Sequence, residues 1–65
     1  MRETTYTPIE GVIQHITKKA VLLNTGGDEV WVPMSVIFED DLAELEVGEL
    51  MEINIAEWFA EKEGL

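Results

Sequence analysis

The run Asn24-Thr25-Gly26-Gly27-Asp28 is the strongest constraint on the fold, because it stands between two short apolar runs, Val21-Leu22-Leu23 and Val30-Trp31-Val32. The paired glycines supply the positive φ that a tight hairpin needs, so the pattern predicts two antiparallel strands joined at this point. The first, Ala20 to Thr25, is apolar on both faces and reads as central in a sheet. The second, Glu29 to Val32, sets Val30 and Val32 on one face and Trp31 on the other, and Pro33 ends it for want of a ladder donor.

The remaining segments fit around that hairpin. Tyr6 to Thr17 is rich in β-branched residues; Ile9, Gly11 and Ile13 share a face, and Ile16 then breaks phase. A glycine followed by a phase slip predicts a bulge or sharp bend in a strand. Met34 to Phe38 reads as a turn of helix or an apolar plug, and Glu39-Asp40-Asp41 as the start of an acidic loop anchored by Leu42, Leu45 and Val47. Glu49 to Ile55 alternates, with Met51, Ile53 and Ile55 on the buried face. Asn54 followed by Glu57 three residues on fits a helix cap, which predicts a helix over Ala56 to Glu63 closed by Gly64. The order is three strands, a loop, a strand and a helix. The fold class expected is mainly β with a short C-terminal helix: a small curled antiparallel sheet or a partly open OB- or SH3-like barrel.

Residues 1–65 form a single small domain near the lower size limit for independent folding. Such chains commonly need a staple. With no cysteine there is no disulfide, and one histidine makes a structural zinc site a poor fit. Tight packing, a partner or a homodimer is left to supply stability. At 46% hydrophobic residues the chain is too apolar for disorder. No apolar run is long enough to span a membrane, and Met1 to Thr5 lacks a leader pattern, so a cytoplasmic protein is expected.

Charge narrows the partner. Ten of the 14 acidic residues lie between Glu39 and Glu63 against one base, Lys62, so that stretch carries −9. Residues 1–38 set Glu3, Glu10, Asp28 and Glu29 against Arg2, Lys18 and Lys19, a net of −1. Such a chain repels phosphate and favours a partner with a basic surface.

From Gly11 onward, Gly-x-Ile-x-x-Ile, Ala-Val-Leu-Leu, Gly-Gly and Val-Trp-Val-Pro resemble the first three strands of the RNA-binding OB modules of translation proteins, over about half the chain. The chain departs from that pattern by ending in a helix where a fifth strand is expected and by lacking a basic stripe. A second likeness covers most of the chain. Lys19 to Leu22, Val30 to Ile37 and Glu57 to Leu65 resemble the Lys-Ala-x-Leu, Val-Trp-Val-Pro-x-Ser-x-Ile and Glu-Trp-x-Ala-x-Lys-x-Gly-Leu stretches of small acidic proteins of phages and their hosts. That resemblance implies no particular activity, and the shared residues are those a core, a turn and a terminal helix need.

The residue inventory points away from catalysis. There is no Ser-His-Asp or Cys-His set, and His15 beside Ile16 reads as a strand-surface histidine. No cofactor or metal is expected: the acids from Glu39 to Glu46 lack the Asp-x-Asp-x-Asp-Gly spacing of a calcium loop, and Leu42 and Leu45 interrupt them. Gly26-Gly27 is followed by no helix and so is no phosphate cradle. Two surfaces remain. The first is a protein-contact surface of Glu39, Asp40 and Asp41 joined to Glu57, Glu61 and Glu63, with Trp58 or Phe59 as its apolar anchor. It implies a non-enzymatic acidic binding module, and in a sharper form a mimic of nucleic-acid phosphate, phage-borne or otherwise, acting on a nucleic-acid-handling enzyme. The alternative is a single-stranded nucleic-acid face of Tyr6, Lys18, Lys19 and Trp31. Nucleic acid is the less favoured partner, because three bases outside the acidic half neutralise few phosphates. Trp31 itself is expected to pack beneath the C-terminal helix.

Overall fold

In the computed structural model, which describes residues 4–65, the chain forms one four-stranded antiparallel sheet that does not close into a barrel. Met1, Arg2 and Glu3, which enter the charge count and the reading of the amino-terminal stretch, lie outside the described residues. Strand β1 (Tyr6–Ile16) is followed by β2 (Ala20–Asn24) and β3 (Glu29–Pro33), then a 3-10 turn (Met34–Val36) and the single-turn helix α1 (Glu39–Leu42). Strand β4 (Leu50–Ala56) leads directly into helix α2 (Glu57–Glu63). The strand order is β3-β2-β1-β4.

The long strand β1 serves two neighbours. Its first half, Tyr6 to Val12, pairs with β4, and its second half, Val12 to Ile16, pairs with β2. Gly11 stands at the changeover, where a Cβ would lie 2.6 Å from the Asn24 carbonyl oxygen. Only a residue without a side chain lets β2 end that close to β1. The expected phase slip is a bulge between Ile13 and His15, which turns His15 outward and returns Ile16 towards the core.

Alternation then builds the core. Ile13, Val21, Leu23, Val32, Ile53 and Ile55 are fully buried on one face of the sheet. Val36, Ile37, Phe59 and Ala60 close over them from the 3-10 turn and α2. Both prolines sit where a missing N–H costs nothing. Met34 N–H donates to the Lys19 carbonyl and Thr25 N–H to the Asp28 carbonyl, which fixes the β2–β3 phase and turns Pro33 to the open side of β3.

Several expectations need correction. Asn54 does not cap α2: it lies within β4, the cap position is Ala56, and no side chain caps that end. Asn54 instead holds α1, donating from its backbone N–H (2.8 Å) and its Nδ2 (3.3 Å) to Asp41 Oδ2. Its carbonyl accepts the Phe38 N–H at 2.8 Å, so the acidic loop begins as a helical turn fixed to the outer edge of β4. Of the three loop anchors, Leu45 packs on the core, whereas Leu42 and Val47 are exposed. At the hairpin only Gly26 has positive φ (101°); positive φ at the first central position alone suits a type II′ turn. The other helix end is as expected: Gly64 is left-handed, its N–H reaches the Glu61 carbonyl, and Leu65 N–H reaches that of Ala60. That is the Schellman pairing, with Leu65 packed against the core.

Candidate functional site

Helix α2 separates its two aromatic residues. Neighbours on a helix are about 100° apart, so when Phe59 turns inward Trp58 must turn out. Phe59 is 7% exposed and belongs to the core, which removes it from the contact surface; Trp58 is 57% exposed. The two rings meet edge to face at 5.9 Å, so the buried ring steadies the exposed one. Glu57, Glu61 and Glu63 are exposed on the same helix, and Glu61 lies one turn from Trp58.

The acidic segment before β4 divides similarly. Glu39 and Asp40 are exposed, whereas Asp41 is half-buried and holds Asn54 through one carboxylate oxygen, Oδ2, which gives it a structural role. Tyr6 meets Phe38 at 5.1 Å, edge on, beside the beginning of α1. It is thereby remote from Trp31. Tyr6 and His15, the residue that meets Trp31, are separated by up to ~30 Å of strand.

Trp31 does not pack beneath α2. Helix α2 covers the face bearing Val32, and Trp31 points the other way, 50% exposed, opposite Leu22. His15 lies on the far side of Leu22 in the same row, its ring perpendicular to the indole at 6.2 Å. Lys18 and Lys19 are the central residues of the β1–β2 turn, which Thr17 closes by N–H donation to the Ala20 carbonyl (2.8 Å) and by accepting the Ala20 N–H at Oγ1 (3.0 Å). The structure thus brings Trp31, Lys18 and Lys19 to one end of the sheet and leaves Tyr6 out.

One feature was not anticipated. A groove of about 530 Å³ lies between the amino-terminal half of β1, the start of β3 and the end of α2. Glu10, Asp28, Glu29 and Glu63 line it, with Ile9, Val30 and Leu65 as its apolar wall. Three of those four carboxylates come from the half of the chain that is nearly neutral by count. Glu63 accordingly belongs with Glu10 and Glu29, and the acidic surface does not follow the division between chain halves. No linear pattern marks the groove, because its walls come from three remote segments. Among the described residues, no cluster of histidine and carboxylate groups converges to hold a metal, and no helix is long and apolar enough to cross a membrane.

The geometry defines a small mainly-β domain, an open four-stranded antiparallel sheet with a short C-terminal helix and two tryptophans in contact with solvent. Comparison with family models, curated proteins and solved structures finds no match for the chain.

Proposed function

We propose that this protein is a small acidic, non-enzymatic binding module that engages a protein partner with a basic surface. The observation that carries the reading is Trp58. Leaving 57% of a ring of about 250 Å² in water forgoes ~3.5 kcal/mol of burial at about 25 cal/mol per Å². A partner recovers that energy, and a central aromatic ringed by charge is the usual form of an interface anchor. The carboxylates of Glu57, Glu61, Glu39 and Asp40 supply long-range attraction, and the net charge of −10 selects a basic partner. The test is affinity capture from cells that make the protein, with wild-type and Trp58→Ala protein as parallel baits. A basic protein retained by the first and lost by the second supports the reading. A set of retained proteins identical for both baits refutes Trp58 as the anchor.

One observation favours a second reading. Trp31 stands exposed beside His15 and near the Lys18-Lys19 turn, an arrangement on which a nucleobase could stack. Charge opposes it, since phosphates approaching a −10 molecule are repelled over about 10 Å at 0.1 M salt. Titration of labelled single-stranded oligonucleotide at low and physiological salt separates the two. Micromolar binding at physiological salt establishes the nucleic-acid reading, and no binding at low salt ends it.

A further inference from the structure

We propose that the groove beside β1 receives an extended segment of the protein partner, a strand of alternating basic and apolar residues that pairs with the free backbone edge of Tyr6 to Glu10. The proposal rests on the reading of the molecule as a module for a basic protein, and adds where that protein binds and in what form.

The free edge follows from the register. Glu57 N–H donates to the Thr5 carbonyl at 2.7 Å, and the pairs Thr7 with Ile55 and Ile9 with Ile53 continue that phase. Odd-numbered residues of β1 therefore turn their backbone groups to β4, and Tyr6, Pro8 and Glu10 turn theirs away from it. On that other side β2 begins pairing only at Val12, opposite Asn24. In that phase the Glu10 N–H and the carbonyls of Tyr6, Pro8 and Glu10 face away from β4, and among the described residues no turn or loop backbone group bonds to them. The free stretch is about 17 Å long, enough for one short added strand. Pro8 sits at its middle, a position that proline occupies only on an unpaired edge. An open strand edge is a template for another chain.

The walls specify which chain. Ile9 faces the core side of β1 and, with Val30 and Leu65, forms a half-buried apolar wall. Glu10 points to the opposite face, where Glu29 of β3 also points. A strand laid along this edge presents alternate residues to the two faces. Its apolar positions meet Ile9, Val30 and Leu65, and its basic positions meet Glu10 and Glu29. Asp28 and Glu63 add negative charge at the ends of the groove. A second copy of this chain brings −10 of the same sign, and nucleic acid brings phosphate, so neither complements these walls.

The probe is a capped peptide of about seven residues alternating lysine and valine, the length of an ordinary strand, titrated into the ¹⁵N-labelled protein. Binding should perturb the Tyr6 and Glu10 amides and slow their hydrogen exchange. Two N-methylated versions, one at every lysine and one at every valine, block one pairing edge each. One of them should lose about tenfold or more in affinity, as expected when strand hydrogen bonds are removed. The double variant Glu10→Lys, Glu29→Lys should lose a similar factor while its circular dichroism stays native. Equal binding by the parent and both N-methylated peptides overturns the proposal, as does the absence of binding. Perturbation confined to Trp58 and α2 overturns strand pairing but leaves the binding-module reading standing. Concentration-dependent protection of Glu10 in the protein alone assigns the groove to a second copy and also overturns it. Failure of the peptide together with failure of the Trp58-dependent capture removes the underlying reading itself.

Discussion

Replacing Gly11 by alanine tests the hinge of the fold. The added Cβ would lie 2.6 Å from the Asn24 carbonyl oxygen and 3.0 Å from Leu23 Cδ1 and Cγ. Non-bonded heavy atoms attract at about 3.5–4.0 Å, so the methyl group is well inside repulsive contact. The nearest atom belongs to backbone, and Leu23 is fully buried, so neither can swing aside. Overpacking of this kind costs about 1–3 kcal/mol, whereas alanine in place of glycine returns about 0.4–1 kcal/mol by restricting the unfolded chain. A 2.6 Å approach to a backbone oxygen puts the clash at the upper end of its range, so it wins, for a net loss of about 2 kcal/mol. A domain of this size holds roughly 3–10 kcal/mol in total, and each kcal/mol moves Tm by about 4–8 °C. The expected fall in Tm is therefore about 8–16 °C, read by circular dichroism, with a matching shift of the urea midpoint. Gly27 is the control: its Cβ would meet nothing within 4 Å, and its φ is not positive. Gly27→Ala should be neutral or stabilising by up to about 1 kcal/mol. A Gly11→Ala protein as stable as the wild type would refute the reasoning, since β2 could not then approach β1 as described.

Three further outcomes follow from the same geometry. Phe59→Ala should cost about 3–5 kcal/mol and leave much of the population unfolded, while Trp58→Ala, which gives up only the buried part of its ring and the edge contact with Phe59, should cost about 1–2 kcal/mol; chemical denaturation of the two side by side checks this. Asp41→Ala removes the acceptor for both Asn54 donors and should cost about 1–2 kcal/mol, with Asn54 amide exchange accelerating; unchanged exchange would show that α1 is held by other contacts. Glu39→Lys with Asp40→Lys should leave the melting curve within about 0.5 kcal/mol of wild type, because both residues are exposed on the surface.

The order of elements was legible because each rests on local physics. Period-two alternation placed Ile53 and Ile55 inwards, Pro33 ended β3, and the phase slip before Ile16 announced a bulge. What escaped was tertiary. Asn54 carries the local signature of a helix cap, but its partner is Asp41, thirteen residues earlier, which no local pattern relates to it. Trp31 was legible as lying opposite Val30 and Val32, but which face α2 would cover depends on where the chain returns after β4. The acidic contact surface was legible in composition and misleading in layout. β1 folds Glu10 alongside Glu63, so charges far apart in sequence share one groove, while Phe59 and Asp41 turn inward to structural roles.

The central claim, that the acidic surface recruits a basic protein partner, meets its most direct test in an association rate. Once a partner is captured, its association and dissociation rate constants are measured across a series from about 20 to 300 mM salt, over which the Debye length falls from roughly 20 to 6 Å. Electrostatic steering predicts an association rate that falls by about tenfold or more over that range, with dissociation changing little. The Glu39→Lys, Asp40→Lys protein should show a slower association even at low salt. An association rate independent of salt, and identical for that variant and the wild type, would contradict the claim and leave the acidic residues as solubilising surface.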